Sequence, residues 1–172
     1  MTRYFGRLAA LTAVLWSVFG ETPASSQDAG SDAIVGVQPL WSSQCTTTSR
    51  EAPPDCAIEQ RAVVTESGQL LIKMTVQVPA DTRKPVMMIQ APLGPFLPAG
   101  INMDVDGNNP FRLDYQTCDA NGCYAGSPIS DELLQRMIAG HKLNVTIQAL
   151  NKQPVRIPMV LTGFTAAYRN IQ

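Results

Sequence analysis

Leu70-Leu71-Ile72-Lys73-Met74-Thr75-Val76-Gln77-Val78 alternates apolar and polar side chains with a period of two. Successive side chains of an extended strand point to opposite faces, so Leu70, Ile72, Met74, Val76 and Val78 line one face while Leu71, Lys73, Thr75 and Gln77 line the other. The same period recurs where Leu143, Val145, Ile147 and Ala149 alternate with Lys142, Asn144, Thr146 and Gln148. It recurs again where Val155, Ile157, Met159 and Leu161 alternate with Arg156, Pro158 and Val160. Strands with a single apolar face belong to antiparallel sheets that cover one side of a core.

Weaker strand signals lie at 57–65, 86–91, 101–106 and 111–118, with an opening strand near Trp41. Turn-forming residues separate them: Glu66-Ser67-Gly68, Asp106-Gly107-Asn108-Asn109-Pro110 and Asn151-Lys152-Gln153. One helix is predicted, over 131–139. Ser130 caps it, Asp131 and Glu132 suit its positive end, Ile129 and Leu134 can staple it, and Gly140 stops it. About seven to nine short strands with one short helix inserted before the last strands predict an all-β fold, an antiparallel β-sandwich or flattened barrel.

The first 26 residues read as a cleavable leader. Arg3 and Arg7 make a positive start, Leu8 to Phe19 is a mostly apolar run of twelve, and small polar residues follow up to Ser26. Twelve residues fall well short of the roughly 20 that span a bilayer as a helix, and no later apolar run is longer, so no integral membrane segment is expected after leader removal. Residues 27–37 are small and polar and predict a flexible N-terminal arm, which leaves 38–172 as a single domain. Without Arg3, Arg7 and Glu21, the 13 Lys+Arg and 14 Asp+Glu of the whole chain become 11 and 13. Neither sign forms a run, which argues against nucleic acid and against a polybasic membrane patch.

Cys45, Cys56, Cys118 and Cys123 all follow the leader. An even number of cysteines in an exported chain reads as disulfides, with three connectivities open. Local pairing, Cys45 with Cys56 and Cys118 with Cys123, is favoured because each pair brackets turn-formers: Pro53-Pro54-Asp55 and Asp119-Ala120-Asn121-Gly122. Each bridge is expected to contribute about 2–4 kcal/mol, less for the shorter loop. Neither spacing suits zinc or a redox CxxC pair.

Candidate chemistry is sparse. His141 is the single histidine and follows a helix-stopping glycine, where a cation meets the negative helix end. No Ser or Cys in a nucleophile-elbow setting accompanies it. Asp104-Val105-Asp106-Gly107-Asn108-Asn109 places oxygen donors at alternate positions, but the sixth and twelfth places of a calcium loop hold Asn109 and Tyr115 rather than Gly and Glu. Asp104 and Asp106 are therefore expected on the solvent face of a strand, opposite Met103 and Val105, with Asp106-Gly107 beginning its hairpin turn. No metal and no cofactor is expected; Met87 and Met88 fall on opposite strand faces and make no thioether cluster. Asn144-Val145-Thr146 is formally a glycosylation acceptor, read as ordinary strand alternation.

The better functional candidate is the loop Pro92-Leu93-Gly94-Pro95-Phe96-Leu97-Pro98-Ala99-Gly100. Its prolines can hold Leu93, Phe96 and Leu97 as a rigid apolar contact surface. The favoured reading, since apolar loop residues are usually covered, folds these side chains down to plug one end of the sandwich.

Taken together, Trp41, Cys45, Pro92-Leu93-Gly94, Leu97-Pro98-Ala99-Gly100, Asp106, Cys118, Gly122-Cys123, Ala125, Gly140, Pro158, Leu161-Thr162-Gly163-Phe164 and Ala167 resemble the invasion-associated locus B family of exported bacterial proteins. The likeness runs from about residue 38 to 170 and keeps the order of the motifs. It implies a periplasmic or secreted β-sandwich protein and brings no catalytic motif to place on these residues. The expectation is a non-enzymatic binding protein of the cell envelope, whose partner is an envelope or host-surface protein or glycan. The alternative is a small periplasmic hydrolase or metal-dependent enzyme using His141 or the Asp104/Asp106 pair.

Overall fold

The computed structural model describes residues 35–37, 41–47 and 54–172. The leader expected over 1–26 and most of the arm expected over 27–37 lie outside the described residues. Along the described chain the early strands are β1 (Val35–Val37), β2 (Ser42–Thr46), β3 (Asp55–Val64), β4 (Leu70–Gln77) and β5 (Val86–Ala91). Then come β6 (Ile101–Val105), β7 (Asn108–Leu113), β8 (Thr117–Asp119) and β9 (Gly122–Pro128). Helix α1 (Asp131–Ala139) precedes β10 (Lys142–Gln148) and β11 (Pro154–Val160), and α2 (Phe164–Arg169) ends the fold.

Two antiparallel sheets make the sandwich. The larger has the order β1-β3-β4-β5-β9-β8, with β2 also on β3; the smaller runs β11-β10-β6-β7. Neither sheet closes on itself, so the flattened-barrel alternative gives way to an open sandwich. The strand number exceeds the expected range because β1 and β8 have three residues each, too few to show a period. The last three residues of the expected arm, Val35–Val37, are strand β1, since their backbone pairs with Ala62 to Val64 of β3.

Three local differences have plain causes. The strand expected over 111–118 is two, because the chain leaves the smaller sheet after Leu113 and joins the larger at Thr117. The strand expected to 106 stops at Val105, since Asp106 and Gly107 have φ of 51° and 81°. Two successive positive φ values turn β6 into β7 tightly, with the twist an antiparallel hairpin favours. Helix α2, six residues long, was not expected because it is too short to show an apolar stripe. Helix α1 matches its expected span, and the Ser130 hydroxyl accepts from the Leu133 amide at 3.2 Å.

The alternating positions face inward as the period requires. Ile72, Met74 and Val76 of β4 and Met87 and Ile89 of β5 are buried against Met103, Leu143, Val145, Ile157 and Met159 of the smaller sheet. At one end Trp41 packs edge-on against Phe164 at 5.0 Å between ring centroids, and Phe164 stacks on Tyr168 at 5.8 Å.

One inward position breaks the pattern. Gln60 sits between Ile58 and Ala62 on the buried face of β3 and is 1 % exposed. Its amide nitrogen donates to the Val160 carbonyl at 2.9 Å and its oxygen accepts from the Val160 amide at 3.0 Å. The Trp41 indole donates to the same carbonyl at 3.0 Å. Val160 lies on β11, the edge of the smaller sheet, so Gln60 supplies the two bonds that a further strand would. Backbone groups of a strand alternate sides, so Pro158 and Pro154 share the outward parity of Val160. Proline has no N–H to leave unpaired there.

Replacing Gln60 with Leu keeps the bulk and orphans the buried Val160 amide. An unsatisfied buried polar group costs about 1–3 kcal/mol, so Gln60→Leu should lower unfolding free energy by about 2 kcal/mol in urea titration. A variant as stable as the parent would show that the bond carries nothing.

Candidate functional site

Of the residues singled out for chemistry, Asp104 and Asp106 are taken up by structure and the His141 ring stands in solvent. Asp106 begins the hairpin turn that follows β6. Its two carboxylate oxygens accept from the His141 amide at 3.0 Å and the Lys142 amide at 2.9 Å. The His141 amide first, then that of Lys142, hold the Asp106 carboxyl below its usual 3.8. The His141 ring is 90 % exposed, with Nδ1 3.8 Å from Asp106. Asp104, half-buried on the outer face of the smaller sheet, accepts from Gly107 N and Asn144 Nδ2, both at 2.6 Å, and from Arg156 at 3.2 Å. Asn144 is thereby tied down and 9 % exposed, in keeping with a strand residue rather than a glycan acceptor. Burial pushes the Tyr115 phenol up to about 12, so it stays neutral at physiological pH. Among the described residues no three His, Cys, Asp or Glu side chains converge as a metal site would require.

Both disulfides form with the local pairing. Cys45–Cys56 joins directly opposite residues of β2 and β3, and Cys118–Cys123 does the same across β8 and β9. Asp119 accepts from the Asn121 amide at 2.7 Å in the hairpin between the second pair, and this bond lowers its carboxyl's pKa most. Gly122, with φ 148°, passes so close to the Ala91 carbonyl that a Cβ would collide with it.

The Pro92–Gly100 loop is fixed at both ends. Pro95 bridges Ala149, the Phe96 amide donates to Gln148 at 2.8 Å, and Arg112 donates to the Pro98 carbonyl at 2.9 Å. Leu97–Ala99 forms a single 3-10 turn. Leu93 and Leu97 are 60 % and 46 % exposed, whereas Phe96 is half-buried with the Lys152 ammonium 5.2 Å from its ring centroid. The loop therefore separates its three apolar side chains: two project and one packs. Leu150, 72 % exposed, sits in the turn that the Pro95–Ala149 bridge holds beside the loop. The apolar closure of one sandwich end comes from Trp41, Phe164 and Tyr168 instead.

Sequence reasoning missed a cavity of about 450 Å³ on the outer face of the larger sheet, lined by β4, β5 and β9. Lys73, Gln90 and Tyr124 lie in one cross-strand row, Thr75, Met88 and Gly126 in the next, Gln77, Val86 and Pro128 in the third. Each contributor looks like an ordinary solvent-face residue of its own strand, so only the pairing reveals the groove.

The family model for the invasion associated locus B (IalB) protein matches residues 41–172. The chain belongs to this family. Among solved structures, it is similar to the invasion associated protein B of Bartonella henselae, with a TM-score of 0.67 at 20 % identity, covering 77 % of this chain and 90 % of that one. That likeness carries the fold. No curated protein matches the sequence.

Asp106 generates a pH prediction. Its folded pKa is depressed, so the stability it contributes is present above the unfolded value near 3.8 and is lost as pH falls through the folded value. Asp106→Asn offers one acceptor oxygen where two amides need two. The variant should melt below the parent at neutral pH, and the gap should close as pH drops under about 3.8. A gap that persists unchanged into acid would contradict the capping role.

Proposed function

We propose that this member of the invasion associated locus B family is an exported, non-catalytic binding protein of the cell envelope that engages a protein partner through the Pro92–Gly100 corner. One observation carries the reading: three of the four large apolar side chains exposed among the described residues, Leu93, Leu97 and Leu150, lie on two loops tied together by the Pro95–Ala149 bridge. Leucines on a mobile loop would lose conformational freedom on binding. Here the prolines, the 3-10 turn and the bonds to Gln148 and Arg112 have already ordered the backbone, which lowers the cost of association. Apolar side chains of this kind favour a protein surface over a glycan, whose hydroxyls ask for hydrogen-bond donors and acceptors.

Export is supported by the leader-like first 26 residues and by two disulfides, which persist in oxidising compartments. No helix among the described residues is long and apolar enough to cross a membrane. The hydrolase alternative draws no support from these residues: the His141 ring is in open solvent rather than a pocket, and the Asp104 and Asp106 carboxylates are engaged by backbone amides, Asn144 and Arg156.

The test is crosslinking in intact cells with the parent and with Leu93→Ser/Leu97→Ser. The double variant should lose the crosslinked partner while its unfolding free energy stays within about 0.5 kcal/mol per site of the parent's, as for exposed substitutions. Phe96 is left in place because it packs. Retention of the partner by a folded double variant would reject the corner as the contact surface.

A further inference from the structure

The groove on the outer face of the larger sheet is distinct from the Pro92–Gly100 corner, and we propose that it is a binding site for a small amphipathic monocarboxylate such as a medium-chain fatty acid. Its volume, about 450 Å³, falls in the range of small-molecule sites. Its two ends differ in chemistry. Lys73, Gln90 and Tyr124 form a polar row, and two rows along the strands Val86 lies between Gln77 and Pro128, with Met88 between the ends. At about 3.4 Å per residue, the four steps from Lys73 to Gln77 give the groove a length of about 13–14 Å. Met88 is 52 % exposed, and a thioether adapts its shape to an apolar chain.

Charge identifies the head group. Lys73 is the only charged side chain lining the groove. Among the described residues it has no carboxylate partner, in contrast to Arg61, Arg112, Arg136 and Arg156. Glu59, one row away on β3, is held by Arg61 at 2.8 Å, and Asp119 receives the Tyr124 hydroxyl at 3.1 Å. The lining itself therefore carries one positive charge beside neutral amides, which complements a monoanion, while the Asp119 carboxylate behind Tyr124 disfavours any second negative charge. A dianionic phosphate would leave half its charge unmatched.

Gly126 supplies an independent pointer. It lies inside β9 opposite Met88, where a glycine weakens a strand and marks a close approach. A Cβ there would stand 3.3 Å from the Met87 carbonyl and 3.4 Å from the Gln116 side-chain oxygen. The missing side chain keeps the middle of the groove open, and Gln116 is fastened beside it by donating to the Gly126 carbonyl at 3.1 Å.

The experiment follows methyl resonances of the purified protein with labelled methionine as decanoate is added, with Met88 assigned by Met88→Leu. The Met88 signal should shift saturably at one equivalent, below the concentration at which decanoate aggregates. Lys73→Gln should weaken binding by about tenfold, decanol should bind the parent at least about tenfold more weakly than decanoate, and Gly126→Leu should abolish the shift. An unmoved Met88 signal, equal binding by Lys73→Gln, or equal binding of decanol would overturn the proposal. So would cosedimentation with phosphatidylglycerol vesicles in the absence of any decanoate response, which would make the face a membrane contact. If Gly126→Leu misfolds, Lys73→Gln decides the outcome alone.

Discussion

A side-chain amide takes the place of a missing strand. Gln60, on the inner face of the larger sheet, donates to and accepts from the backbone of Val160 on the edge of the smaller one. Apolar packing between two sheets is not directional, and many small shifts of one layer over the other bury nearly the same area. A bidentate bond to one backbone position removes that freedom. The Trp41 indole on the same carbonyl draws in the aromatic cluster with Phe164 and Tyr168, which shuts the adjacent end. The rest of the β11 edge is protected differently, by prolines at 154 and 158 where an N–H would otherwise face outward.

Much of this architecture is legible in the chain itself. The period of two in residues 70–78, 142–149 and 155–161 gives strands, faces and core, and the Ser130 and Gly140 signals bound α1. The short elements are not legible, because three residues of β1 or six of α2 hold no full period. Gln60 could have been found: a polar residue at the inward parity between Ile58 and Ala62 asks for a buried partner, although the sequence cannot say that the partner is Val160, a hundred residues away. The Pro92–Gly100 loop reads as rigid from its prolines. Which of its side chains project depends on how Pro95 and Phe96 pair with Gln148 and Ala149. The groove is invisible for the same reason, since Lys73, Met88 and Gly126 become neighbours only through strand pairing.

The residues that carry the family resemblance serve geometry. Trp41 and Phe164 close one end, Asp106 ties the β6–β7 turn to the start of β10, and Gly140 leaves no room for a Cβ beside Val105 and Arg136. Gly122 passes under Ala91, and the cysteines pair opposite residues of neighbouring strands. None of these positions assembles a nucleophile with a base. The two surfaces proposed for function, an apolar corner at Leu93, Leu97 and Leu150 and a groove over Lys73, Met88 and Gly126, lie on loops and strands that this frame holds still.

The central claim is that the seam between the sheets is locked at Val160, and amide hydrogen exchange tests it most directly. Edge amides ordinarily exchange through small local openings. The account predicts that the Val160 amide exchanges only through global unfolding, as slowly as Ile89 in the middle of the larger sheet, while Arg156, of the same outward parity on β11, exchanges orders of magnitude faster. Fast exchange at Val160, matching Arg156, would contradict it.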